Sequence, residues 1–228
     1  MVEAALLDLD GTLIDANYQH ALAWYRAFRR FDIVLPVWRL HRHIGMGGDQ
    51  YVAAVAGDDV EERCGDDLRD AHSEEFQKLR DECAPLEGAS DLLRELKRRG
   101  LTVVLASSSG EDDLEFFVER LEAGDCIDAA TTKDDVERTK PHPDAIEAAL
   151  EKAETRDAVM VGDSRWDIEA AAKAGLETIC VLTGGWSEQE LRDHGAAAVF
   201  DSLPDLLEHL DETPLGRAAD TMSRSRWR

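Results

Sequence analysis

Apolar residues along this chain fall into short uninterrupted runs, separated by longer stretches in which they recur every three or four positions. Four of the runs, residues 4–9 (AALLDL), 101–106 (LTVVLA), 158–161 (AVMV) and 178–182 (TICVL), have the length and composition of buried strands. A fifth strand is predicted at 197–200, and Ser202 after it is placed to cap a helix over "PDLLEHL". Helical patterns lie between the runs. In "SDLLRELKRRG", Leu92, Leu93 and Leu96 share one stripe and Gly100 marks the stop. "SEQE" at 187–190 reads as a capping box. The alternation predicts an α/β fold: a Rossmann-like, mostly parallel sheet with helices on both faces.

The rhythm breaks between residues 15 and 85, where helical patterns over 18–31, 49–55 and 58–82 follow one another with no strand between them. That interval reads as a helical cap inserted after the first strand. The expected organisation is therefore a core domain of residues 1–14 and 86–212, a cap of residues 15–85, and a polar, basic tail at 213–228 that reads as disordered.

Length and composition change this picture little. A chain of 228 residues with 43% hydrophobic content has enough apolar surface for a proper core. No run approaches the roughly 18–20 apolar residues of a membrane span, and no basic leader precedes the first strand, so a soluble, cytoplasmic protein without a membrane partner is expected. Cys64, Cys83, Cys126 and Cys180 lack CxxC spacing and read as reduced thiols. Charge changes more. With 26 basic against 49 acidic residues the formal net charge is -23, which repels polyanions and argues against a nucleic-acid partner. The same excess is what adaptation to high salt would produce, where short Debye lengths screen self-repulsion.

Candidate chemistry sits where the strands end. In open parallel sheets ligands bind beyond the carboxyl ends of the strands. The residues there are Asp8 and Asp10, then Ser107 to Ser109, then Lys140 ahead of Pro141, then "GDSRWD" at 162–167. If the first strand runs through residue 9, alternation puts Asp8 and Asp10 on one face, their Cα atoms roughly 6–7 Å apart. At an effective dielectric near 20 their charges repel by about 2–3 kcal/mol. Either a cation sits between them and a third acid, or one of them holds a proton at neutral pH. Asp163 and Asp167 are natural further ligands for a hard, oxygen-seeking ion, and Mg²⁺ fits such a set better than Zn²⁺. Lys140 and Ser107 add donors for an anion, and Gly11 and Thr12 offer backbone N–H groups at a predicted helix start. Carboxylates, a divalent cation and anion donors together describe a phosphate held against a carboxylate nucleophile.

"DLDGTLID", Ser107 after an apolar strand, Lys140 in "TKPHPD" and "VGDSRWDIEAAAKAG" resemble, in order, the four motifs of the haloacid dehalogenase-like hydrolase superfamily. The likeness runs to about residue 210, and the insertion resembles the small helical cap of its phosphoglycolate-phosphatase and β-phosphoglucomutase branch. The resemblance implies that Asp8 is the nucleophile that forms an aspartyl-phosphate. It makes Asp10 the acid and base, and places Mg²⁺ on the Asp8 carboxylate, the Asp10 backbone carbonyl and Asp163. Asp167 then orients a metal-bound water or Lys140, while Ser107 and Lys140 grip the phosphoryl oxygens. The dehalogenase activity that names the superfamily is disfavoured, because such enzymes lack the second aspartate supplied here by Asp10.

Around this centre, Ser108 is placed with the substrate and Ser109 is read as loop. In the cap, "HRHIGMGGDQ" puts Arg42, His43, Gly45 and Gly47 in a glycine-rich lid loop able to close over an anionic substrate. His20, with Trp24 one helical turn on, matches a position held by histidine in β-phosphoglucomutase-like proteins. The expected function is Mg²⁺-dependent hydrolysis of a small phosphomonoester, with the sugar phosphomutase as alternative. A receiver-like or silent phosphate-binding protein is remote, since a receiver has no inserted cap and carries its phosphoacceptor on a middle strand.

Overall fold

The computed structural model describes residues 2–216. Its first half contains β1 (Ala4–Leu7), β2 (Ile14–Asp15), α1 (Asn17–Arg30), α2 (Val37–His41), α3 (Gly48–Ala56), α4 (Asp58–Gln77), β3 (Ala84–Pro85) and α5 (Ala89–Arg98). Then follow β4 (Thr102–Ala106), α6 (Glu111–Arg120), β5 (Ala129–Thr131), α7 (Asp144–Ala153) and β6 (Ala158–Gly162). The last elements are α8 (Arg165–Lys173), β7 (Glu177–Val181), α9 (Glu188–Asp193), β8 (Ala198–Phe200) and α10 (Leu203–Glu208).

Six strands form one sheet in the order β5-β4-β1-β6-β7-β8, and every pairing in it is parallel. Successive strand residues face opposite sides of a sheet, and the apolar runs divide accordingly. Ala5, Leu7, Val103, Leu105, Val159 and Val161 pack under α5 and α10 with Leu92, Leu93, Leu96 and Leu206. On the other face Ala4, Leu6, Val104, Ala106 and Met160 pack against Ile146, Ala149 and Leu150 of α7 and Ala170 and Ala171 of α8. From β1 the chain builds outward through β4 and β5, then returns to the other side of β1 with β6. This reversal places a crevice beyond the carboxyl ends of β1, β4 and β6.

The helices between β2 and β3 have a core of their own, centred on Trp24, Phe28, Leu40, Tyr51, Val52 and Leu68. The chain leaves the sheet domain at β2 and comes back at β3, and these two short strands pair antiparallel, Ile14 with Pro85 and Asp15 with Ala84. The caps expected of Ser187 and Ser202 are present: Ser187 and Glu190 bond reciprocally, and Ser202 Oγ accepts the Asp205 N–H.

Some elements depart from expectation. β1 stops at Leu7, because the Leu9 carbonyl accepts the N–H groups of Thr12, Leu13 and Ile14 and the chain turns. The single helix expected at 58–82 is broken at Cys64 (φ -155°, ψ 25°), next to Gly65, a poor helix former, and ends at Gln77 before a separate turn at Arg80–Glu82. β5 was not anticipated, being only three residues with polar neighbours. The tail does not begin at 213: Thr213 and Leu215 are buried, the latter in the main core, and residues 217–228 lie outside the described part of the chain.

Candidate active site

Beyond the carboxyl ends of β1 and β6, three buried carboxylates, Asp8, Asp163 and Asp167, bring oxygens within 4.8 Å of one another. Lys140, from the connection between β5 and α7, enters this group with its side chain 1% exposed. Its Nζ donates to Asp8 Oδ1 in a short contact and to Asp167 Oδ1 at 2.8 Å. Asp167 is held from the other side by Ser164, whose N–H and hydroxyl donate to Oδ2 at 3.1 and 2.6 Å. It is thus both the capping-box residue of α8 and the partner of Lys140. Asp163 accepts from Thr12 Oγ at 3.1 Å and from Asn17 Nδ2, at the start of the first cap helix, at 2.9 Å.

The electrostatics of this cluster ask for more positive charge than Lys140 brings. Burial, with Asp167 and Asp10 adding to it against the pull of Lys140, raises Asp8 to about 7. Burial likewise pushes Asp163 well above the usual carboxylate range, with Asp167 and Asp8 adding repulsion. Asp8 Oδ2 is buried with no hydrogen-bond partner among the described residues. A Cβ on Gly184 would come within 1.7 Å of Asp163 Oδ2, so backbone closes the site where a side chain would fill it. An orphaned buried oxygen and carboxylates held above their ordinary pKa fit a hard divalent cation.

Asp10 lives in a different environment. Because β1 ends early, its carboxylate is carried in the turn rather than on a strand face beside Asp8. Ser109 Oγ donates to Asp10 Oδ2 at 2.9 Å, and His20 Nε2 lies 3.5 Å from Oδ1. Burial alone would raise Asp10; His20 and Ser109 outweigh it and hold the carboxyl below its usual value. Two carboxylates close in sequence are thereby shifted in opposite directions, Asp8 toward its protonated form and Asp10 toward its ionised form, before any cation or phosphate is bound.

A cavity of about 430 Å³ opens over these groups. Asp8, Asp10 and Lys140 line it from the core, and Trp24, Arg69 and His72 from the cap. His20 also lines it, stacked on Phe76 at 3.7 Å with Nδ1 3.3 Å from His72 Nε2. Burial, with His20 and Lys133 adding to it, depresses His72 well below an ordinary histidine, so it is neutral at pH 7. Gly45, Gly47 and Ser108 line the cavity, and the buried Ser108 hydroxyl has no hydrogen-bond partner among the described residues. Ser107 is buried beneath them, its oxygen accepting the Ser109 N–H at 3.0 Å.

Three assignments change. Gly11 and Thr12 do not offer N–H groups at a helix start: their N–H groups donate to the carbonyls of Ile14 and Leu9, and the helix begins only at Asn17. Arg42 is outside the cavity, bonded to Glu190 at 2.5 Å and lying over the Trp186 ring at 3.4 Å. His43 is outside it too, stacked beside Trp166 and bonded to the Arg39 carbonyl. Both are drawn to aromatic rings of the core, whose position no local pattern reveals. Asn17 and His72 escaped the sequence reading, and Ser109, placed at a strand end but read as loop, instead bonds Asp10.

Residues 5–181 match the family described as haloacid dehalogenase-like hydrolase. The chain is 30% identical over 216 residues to the pyrophosphatase PpaX of Bacillus cereus (strain B4264), covering 90% of this chain and 95% of that protein. It is 30% identical over 191 residues to the validoxylamine A 7'-phosphate phosphatase of Streptomyces hygroscopicus subsp. limoneus, covering 80% and 87%. Among solved structures, a hydrolase from Pseudomonas syringae superposes with a TM-score of 0.86 at 33% identity, over 92% of this chain and 98% of that one.

Proposed function

Because the chain belongs to the haloacid dehalogenase-like hydrolase family, we propose that it is a Mg²⁺-dependent phosphatase acting on a small phosphomonoester through an aspartyl-phosphate. The observation that carries this is a cluster of three buried carboxylates, Asp8, Asp163 and Asp167, in which Lys140 bonds Asp8 and Asp167, at a cavity lined by Asp8, Asp10 and Lys140, while Asp10 has partners of its own. The Asp8 carboxylate attacks phosphorus, a new O–P bond forms and the ester P–O bond breaks. Asp10, ionised in the free site, takes up a proton when the anionic substrate binds beside it, gives that proton to the departing oxygen, and later takes one from the water that releases phosphate. Lys140 opposes charge on the phosphoryl oxygens. The Asp8 and Asp163 carboxylates, with the Asp10 backbone carbonyl, would hold Mg²⁺, which supplies further positive charge against the phosphoryl group when bound. Asp167 orients Lys140. The acidic composition, read as salt adaptation, suits such a small-molecule enzyme and disfavours nucleic acid as a partner.

The test is phosphate release from a panel of small phosphomonoesters and pyrophosphate with Mg²⁺, at low and at molar salt, beside an assay for sugar-phosphate isomerisation. Mg²⁺-dependent free phosphate from at least one monoester is expected. Isomerisation without free phosphate would move the assignment to the mutase, and neither product would overturn both.

A second expectation concerns the metal alone. Asp8 titrates near 3.8 when unfolded and near 7 in the folded chain, so the folded state binds the extra proton. The contribution of Asp8 to metal-free stability therefore falls as pH rises from about 4 to about 7, and that of Asp163 falls in the same direction. Mg²⁺ competes with those protons, so its addition raises Tm more at pH 7.5 than at pH 5. An equal gain at the two pH values, read by calorimetry, would contradict a cation on these carboxylates.

A further inference from the structure

We propose, building on the phosphatase reading, that Asp49 is a positioning residue: a carboxylate on the cap that sets Lys140 in place when the cap rests on the core. Asp49 lies in the first turn of α3. Its Oδ2 accepts the Thr139 backbone N–H at 3.2 Å, and its Oδ1 accepts the Thr139 hydroxyl in a short contact. Two residues earlier, the Gly47 N–H donates to the Lys140 carbonyl at 3.2 Å. One turn of the cap thus grips the residue carrying the buried cation and the residue before it.

Lys140 belongs to the connection between β5 and α7, not to a strand. The Thr139 N–H and the Lys140 carbonyl, which a sheet would otherwise hold, are both bonded to the cap. Gly47 is built for this approach. Its backbone is ordinary (φ -71°, ψ 154°), but a Cβ there would stand 1.5 Å from Thr139 Oγ1. At its other end Lys140 is fixed by Asp8 and Asp167. The ammonium therefore reaches the phosphoryl site from a backbone that the cap holds, and cap closure and assembly of the catalytic charge become one event.

The experiment compares Asp49→Ala, Thr139→Ala, the double variant and Thr139→Ser, by steady-state kinetics and by backbone hydrogen exchange. Asp49→Ala and Thr139→Ala are each expected to lower kcat about 10- to 100-fold with KM changed less than about threefold. The double variant should be no worse than Asp49→Ala alone, because Thr139→Ala removes only the hydroxyl bond, which Asp49→Ala already removes together with the backbone one. Thr139→Ser, which keeps the hydroxyl, should recover most of the turnover lost in Thr139→Ala. Exchange should quicken over residues 132–143 in Asp49→Ala. A raised KM at unchanged kcat would make Asp49 a substrate contact, and multiplying losses in the double variant would separate the two residues; either overturns the proposal. A drop in Tm with kcat intact would reduce Asp49 to a structural role. If the wild type releases no phosphate, the phosphatase reading fails on its own, while unaltered exchange at 132–143 in Asp49→Ala would still refute the clamp.

Discussion

Asp8→Asn is expected to lower turnover by on the order of 10⁴-fold or more, in a protein that melts no lower than the wild type without metal. The amide is nearly isosteric with the carboxylate and leaves Lys140 an oxygen to donate to, but it cannot form the phosphorylated intermediate. Stability should not suffer, because burial, with Asp167 adding to it, holds the wild-type carboxyl up to about 7, so its charge opposes the fold at neutral pH. Removing that charge relieves repulsion. Loss of activity with an unchanged or raised metal-free Tm would distinguish a missing nucleophile from a damaged fold. Full Mg²⁺-dependent phosphate release by the variant would refute the assignment of Asp8.

Lys140→Met should damage both chemistry and fold. Burial alone would lower the pKa of the lysine, but Asp167 and Asp8 outweigh burial and hold it above its ordinary value, so it is charged at neutral pH. Methionine fills a similar volume and leaves Asp8, Asp163 and Asp167 with no buried cation among them. Breaking a buried pair from one side costs about 3–5 kcal/mol, and this loss is expected in denaturant melts at pH 8 without metal. At pH 5 the cost should be smaller, because the carboxylates then take up protons in place of the ammonium. Turnover should fall about 100- to 1,000-fold, the usual scale for removing one preorganised electrostatic partner of a transition state. Equal destabilisation at the two pH values would mean that methionine packing, not charge, decides the effect.

The centre was legible because the residues that make it follow apolar runs. Asp8 and Asp163 come directly after β1 and β6, and a parallel sheet gathers such positions at one edge whatever their separation in sequence. Asp167 and Lys140 were legible for a related reason, one in the first turn of the helix after β6, the other just before the prolines that precede α7. The rest depends on where the cap comes down. His72 meets His20, and Asn17 meets Asp163, only after helices and sheet have packed, so neither carries a local signature. Arg42 was misplaced by the same blindness: a cation in a glycine-rich loop suggests an anion site, yet here Trp186 and Glu190 take it. Gly11 and Thr12 failed because the turn after Leu9 consumes the N–H groups that a helix start would have left open.

The antiparallel pairing of Ile14–Asp15 with Ala84–Pro85 holds the two ends of the cap side by side. To the sheet, the whole insertion makes the demand of a tight turn, since the cost of joining adjacent ends grows only slowly with the chain between them. Most of what lies above that ribbon can vary in length and side chains without shifting the strand register that sets Asp8 beside Asp163. Apart from the insertion's own contacts to the centre, from Asn17, His20, Gly47 and Asp49, selection can therefore rewrite what lies above the ribbon while leaving the cleavage of phosphate intact.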